Sequence, residues 1–97
     1  MIRYTKRALG DLVAIGDYIA ADNQAAAAKW IARLRERIER AHETPRAGRI
    51  VPELEREEVR EVFLRTYRLV YRVESTGITV LTVFEGHRLL DDVEDDS

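Results

Sequence analysis

Apolar positions change their spacing halfway along the chain. After Ile2–Thr5, short enough for a single strand, Leu9, Leu12, Ile15 and Ile19 recur at spacings of 3, 3 and 4. That spacing puts them on one face of a helix that starts at Lys6 and runs for about 15 residues. Asp22-Asn23 interrupts the stripe. Asn23 can cap a second helix with the stripe Ala27, Ile31, Leu34, Ile38 and Ala41 and with Trp30 beside it. Lys29, Arg33, Arg37 and Arg40 fall outside this stripe and read as a solvated face. Pro45 and Gly48 stop the helix. The turn between the helices is so short that they are expected to pack as an antiparallel hairpin.

Beyond residue 58 the period becomes 2. Val59–Leu64, Tyr67–Glu74 and Ile78–Glu85 are rich in Val, Ile, Phe and Tyr, and Ser75-Thr76-Gly77 separates the last two. In the middle segment Tyr67, Leu69, Tyr71 and Val73 share one face, which the helices should cover, while Arg68, Val70, Arg72 and Glu74 share the other. In the last segment Ile78, Val80 and Phe84 alternate with Leu81 and Val83, so neither face is clearly polar. Two helices cannot cover both faces of such a sheet, and a partner chain is expected on part of the second. The pattern therefore predicts an α+β fold: an N-terminal strand, an antiparallel two-helix hairpin, then a three-stranded antiparallel meander. Residues 1–90 are expected to form one domain, and 91–97 a flexible acidic C-terminal tail.

Composition narrows the function classes. The 97 residues include no cysteine, which excludes disulfides, thiolate metal sites and a cysteine nucleophile. Two histidines do not make a histidine-rich metal cage, so no metal and no cofactor is expected. The apolar runs fall far short of the roughly 20 residues that span a bilayer. The start MIRYTKRALG lacks the apolar core of a signal peptide, so the expected location is the cytoplasm, with no membrane partner. A net charge of -2 argues against a nucleic-acid binder held by bulk electrostatics. That figure hides a division. Asp91, Asp92, Glu94, Asp95 and Asp96 lie in the last 7 residues, so residues 1–90 hold 16 basic against 13 acidic residues, a body of +3. Arg accounts for 14 of the basic residues, which is also what the codon bias of a GC-rich genome produces.

The element order, taken with particular residues, resembles the RelE/ParE superfamily, the toxin halves of bacterial type II toxin-antitoxin pairs. The resemblance runs from about Arg3 to Leu90. It rests on Asp11-Leu12 and Ile15 ahead of Tyr18-Ile19, an Ala-rich second helix, and the loop Pro45-Arg46-Ala47-Gly48-Arg49-Ile50-Val51-Pro52-Glu53-Leu54. To these it adds the strand Tyr67-Arg68-Leu69-Val70-Tyr71-Arg72-Val73 and the close Phe84-Glu85-Gly86-His87-Arg88. The long hairpin and the PxxGRxxPEL loop are closer to ParE-like members, whereas YRLVY occurs on both sides. The resemblance implies one of two activities. RelE-like members cut messenger RNA in the ribosome without a metal, and ParE-like members poison DNA gyrase. Both are held inactive by an antitoxin whose extended or helical carboxy-terminal segment wraps the toxin.

Metal-free RNA cleavage needs a base for the 2'-hydroxyl, cations for the pentavalent phosphate and an acid for the leaving oxygen. Arg68, matching the family's strand arginine, and Arg88, matching the closing arginine, would be the cations. His87 would be the acid or base, and Glu85 a second carboxylate. Ordinary roles stand beside these. Arg68 and Arg72 can pair with cross-strand acids such as Glu61 or Glu74, His87 can sit in a strand-end turn, and Arg49 can tie the loop to the sheet. The end LLDDVEDDS also departs from RelE-like enzymes, which carry a more basic surface and an aromatic or histidine near the terminus. A gyrase poison needs no catalytic set, only a protein-binding surface. The expected order is therefore a ParE-like poison of DNA gyrase, then a RelE-like ribosome-dependent endoribonuclease, then a non-toxic binding module. The expected partner is a ParD-like antitoxin in a hetero-oligomer, filling an apolar groove for which Tyr18, Trp30, Phe63 and Tyr67 are the candidates.

Overall fold

One hydroxyl joins the first strand to the first helix. Thr5 is fully buried; its Oγ1 accepts from the Ala8 amide at 3.0 Å and donates to the Leu81 carbonyl at 3.0 Å. It thereby caps α1 (Lys6–Ala20) and pins the end of β1 (Ile2–Tyr4) to the sheet. The computed structural model describes residues 1–86. Asn23 repeats the capping logic for α2 (Gln24–Glu43), its Oδ1 accepting from the Ala26 amide at 3.0 Å. A single 3-10 turn follows at Pro45–Ala47, then β2 (Arg49–Ile50), β3 (Val59–Leu64), β4 (Tyr67–Glu74) and β5 (Gly77–Glu85). The α+β class, the helical pair and the antiparallel meander are as the sequence predicts.

The sheet order is β1-β5-β4-β3-β2, with β1 parallel to β5 and all other pairs antiparallel. Parallel pairing brings Met1 against Gly77, whose φ is +145° and whose added Cβ would lie 1.9 Å from the Met1 carbonyl oxygen. Only glycine allows the chain's first residue so close. Both helices lie on one face. Leu12, Leu34, Ile38, Val62, Leu69, Tyr71, Ile78, Val80 and Val83 form the core there, the helical stripe meeting the strand residues that alternation assigned to it.

Two expectations change on the second face. The β4–β5 register slips between Val70 and Tyr71, so that Val70 pairs with Thr82 and Tyr71 with Val80, leaving Leu81 as the extra residue of a bulge. Strict alternation groups Phe84 with Ile78 and Val80; the bulge moves Phe84 to the other side with Leu81, and Val83 to the helix side. The expected partner chain is also unnecessary over Val59, Val70, Leu81 and Phe84. Val51 and Leu54, in the chain between β2 and β3, pack over them, and all four are buried within this one chain. Among the described residues no helix is long and apolar enough to cross a membrane. The expected acidic tail, 91–97, lies outside the described residues.

Candidate functional site

β4 presents Arg68 on the second face, where it is 5% exposed. Its Nε donates to Glu61 Oε1 at 2.7 Å, while Nη1 and Nη2 make a fork onto Glu53 at 2.7 and 2.9 Å. Glu61, one of the least exposed side chains, also receives Arg49 Nε at 2.8 Å. The ladder Arg49–Glu61–Arg68–Glu53 thus balances two cations with two carboxylates. The hydrogen bonds it donates to Glu53, together with the one it donates to Glu61, strengthen the Arg68 guanidinium's hold on its proton against the burial that opposes it. Every arm of the fork is occupied, and the Phe84 ring lies 5.2 Å from the guanidinium carbon. These are the ordinary roles considered for Arg68 and Arg49: Arg68 pairs with Glu61, and Arg49 ties the β2 strand to β3. Glu53 was not foreseen, because its reach to Arg68 depends on how the loop after β2 folds back.

Beneath this ladder Tyr71 donates to the Pro45 carbonyl at 2.5 Å. A Cβ on Gly48 would stand 2.3 Å from the Tyr71 oxygen, so the loop fits over β4 only with glycine there. Arg60 completes the anchoring, donating to the carbonyls of Arg46 and Gly48 at 2.9 and 3.0 Å. The conspicuous PxxGRxxPEL loop is therefore held down at Pro45, Arg46, Gly48, Arg49 and Glu53 by β3 and β4.

A groove of about 240 Å³ opens on the helix side, between α1 and the ends of β4 and β5. Ala14, Ile15 and Val83 supply its apolar lining, Tyr18 and Tyr67 its aromatic one, and Asp11 and Glu85 its charges. Tyr18 is 81% exposed. Burial raises the Tyr67 phenol above its ordinary value, and the nearby Glu85 carboxylate adds to the shift. Asp11, mid-helix in α1, accepts from Thr82 Oγ1 at 2.5 Å and from the Val83 amide at 3.0 Å. That bond fastens α1 to the strand just past the bulge, where the ladder is disturbed. Its position among the apolar residues of α1 is the signal that could have marked it.

The four antitoxin candidates do not form one surface. Tyr18 and Tyr67 share the groove, and Trp30 stands against Tyr67 edge to face, ring centroids 6.1 Å apart. Phe63 pairs with Arg68 across the β3–β4 ladder, which puts its side chain on the opposite face, under Arg49 at 5.2 Å. Of the ribonuclease candidates, Arg68 sits in the ladder and Glu85 on the groove rim, with Tyr67 as its strand partner. His87 and Arg88 lie outside the described residues. Among the described residues no cluster of His, Asp and Glu suited to a metal ion occurs.

A helical hairpin over one face of this meander, with a folded-back loop over the other, defines a small α+β toxin fold of the RelE/ParE kind. A search of curated proteins finds no match. A solved structure described as the chromosomal ParDE TA system from P. aeruginosa superposes with a TM-score of 0.71, at 24% identity over 87% of this chain and 92% of that one. The family model for the ParE toxin of type II toxin-antitoxin system, parDE, matches residues 2–90, and the chain belongs to that family.

Proposed function

We propose that the chain is the toxin of a type II pair, neutralised by its antitoxin in a hetero-oligomer, and that the free toxin arrests growth by inhibiting DNA gyrase. Membership of the ParE family supports this reading. The observation that carries it against RNA cleavage is the state of Arg68: a transition-state cation must be free to meet a phosphate, and here each of its three nitrogens already donates to Glu53 or Glu61. Competing for it would mean breaking a buried ion pair, which costs about 3–5 kcal/mol.

The groove is the proposed antitoxin site. Its apolar floor suits an aliphatic or aromatic anchor, and Asp11 and Glu85 on its walls suit a neighbouring Lys or Arg. The solved relative, by its description, comes from a ParDE system, which fits a ParD-like partner.

The purified chain, separated from its antitoxin, is expected to inhibit supercoiling and to trap cleaved DNA with gyrase while leaving ribosome-bound messenger intact. Toeprint stops on translating ribosomes with gyrase unaffected would establish the ribonuclease instead. No arrest and no effect on either target would leave a binding module.

A further inference from the structure

Two pockets flank one row of strand residues. Leu64 of β3 faces Tyr67 of β4, and Tyr67 faces Glu85 of β5, in the two antiparallel ladders. With neighbouring strands about 4.8 Å apart, the row is about 10 Å wide. The groove beside α1 opens over the Tyr67 and Glu85 end. At the Leu64 end lies a second, shallower pocket of about 150 Å³, lined by Leu64 with Arg33, Glu36, Arg37 and Arg40 of α2. Trp30 joins the two. Its ring meets Tyr67 edge to face, and the Arg33 guanidinium carbon lies over it, 4.8 Å from its centroid.

The charges at the two ends are opposite. Asp11 and Glu85 belong to the groove, whereas the α2 pocket holds three cations against one anion. Spacings of 4 and 3 keep Arg33, Arg37 and Arg40 on one side of the helix, over about 10.5 Å of its length. Among the described residues none of the three forms an ion pair, with Glu36 or with any other carboxylate. Arg37 is steadied by a backbone oxygen instead, its Nε donating to the Phe63 carbonyl at 3.1 Å. Burial, and then the charge of Arg40, hold the Arg37 guanidinium below its ordinary value, so an acid brought to this pocket relieves part of that cost.

We propose that the antitoxin segment seated in the groove continues over Trp30 onto α2 and sets acidic side chains on Arg33, Arg37 and Arg40. This rests on the groove being the antitoxin's site and extends it. The joined surface asks for one order of chemistry in the partner: a basic residue beside Asp11 and Glu85, an apolar or aromatic anchor at Tyr18 and Tyr67, then acids. The row's width of about 10 Å separates base from acid by about two turns of a helix or three residues of extended chain. Opposite charges at its ends admit the segment in one direction only. A nucleic acid fits less well, because phosphates drawn to the α2 pocket would meet Asp11 and Glu85 at the other end of the row, within about one Debye length.

The test titrates the antitoxin into the full-length chain by calorimetry at low salt, about 0.01 M, and at high salt, about 1 M, where the Debye length shrinks from about 30 to about 3 Å. Arg40→Glu alone, and Arg33→Gln together with Arg40→Gln, should each weaken binding about fivefold or more at low salt. At high salt the difference from the parent should largely close, and the urea midpoints should stay at the parental value. Tyr18→Ala is measured beside them. If Tyr18→Ala weakens binding and the arginine variants do not, this inference falls and the groove remains the antitoxin's site. Parental affinity in all of the variants overturns the groove reading, and the inference with it. Loss in the arginine variants without loss in Tyr18→Ala overturns the continuity through Trp30. Tighter binding by the arginine variants overturns the inference as well, since the segment is then basic at this end. Arginine variants that keep the antitoxin but no longer trap cleaved DNA with gyrase overturn it in favour of the target.

Discussion

Glu61 and Arg68 meet across the β3–β4 ladder with Oε1 and Nε 2.7 Å apart, the carboxylate's side chain wholly buried and the arginine's nearly so. Neither charge has water to fall back on. Their joint contribution is small compared with the penalty for removing one partner, because the survivor stays buried.

Glu61→Gln is therefore expected to lower stability by about 3–5 kcal/mol, leaving Arg49 without its carboxylate and Arg68 with Glu53 alone. Glu53→Gln removes a carboxylate that is 29% exposed on its side chain, and should cost about 1 kcal/mol. Urea midpoints of the two variants check the ranking. A consequence follows for Arg68→Ala, the obvious test of RNA cleavage. It strands Glu61 and Glu53, so lost growth arrest in that variant bears on chemistry only when its midpoint is measured alongside.

Gly48→Ala places a methyl 2.3 Å from the Tyr71 oxygen and 3.0 Å from the Glu61 carbonyl oxygen. Overpacking of this kind costs about 1–3 kcal/mol. Tyr71→Phe alone loses the hydrogen bond to Pro45, worth about 1 kcal/mol. In the double variant the shortest clash is gone, so its destabilisation should fall below the sum of the singles by about 0.5 kcal/mol or more. Strict additivity in thermal melts would mean that the loop moves away from β4 rather than pressing on it.

The elements were legible because their signals are local. Periodicity marks both helices, Asn23 marks a cap, and Ser75-Thr76 marks a hairpin. The missed features are relations between distant residues. Nothing in Ile2–Tyr4 says that it runs parallel to Ile78–Val80. The bulge at Leu81 breaks the period without a glycine to announce it, and so carries Phe84 to the unexpected face. The same limit governs the site. Ion pairing for Arg68 was readable from the sequence, since Glu61 lies on the adjoining strand. Glu53 was not, since its approach needs the loop to fold over the second face. That fold-back also replaces the partner chain that the two-sided apolar pattern predicts.

Acid should loosen the β4–β5 hairpin through Glu74. Hydrogen bonds from Arg72, then from Thr79, hold its carboxyl below the ordinary 4.5. The unfolded chain therefore takes up this proton more readily than the folded one. The contribution is fully present above about 4.5 and is lost as pH falls through the lower folded value. Glu74→Gln should reduce stability at neutral pH by up to about 1 kcal/mol and flatten the acid limb of a stability profile. An unchanged slope below about 4.5 would assign the acid sensitivity to other carboxylates.

Tyr18 separates the proposed antitoxin groove from the other aromatic candidates. At 81% exposure it contributes little to the fold, so Tyr18→Ala should leave the urea midpoint within about 0.5 kcal/mol of the parent. If the groove receives the antitoxin's anchor, the same change should weaken binding by about 2 kcal/mol, or roughly 30-fold, in titration calorimetry. Phe63, 43% exposed on the opposite face, is the matched control, and Phe63→Ala should leave that affinity within about threefold. Asp11→Asn adds a test of charge. It keeps an oxygen to accept from Thr82 and Val83 while removing the negative wall, so its binding loss should shrink as salt rises. Should Phe63→Ala weaken the complex while Tyr18→Ala does not, the antitoxin lies on the second face, over β3 and the loop, and the groove beside α1 serves some other partner.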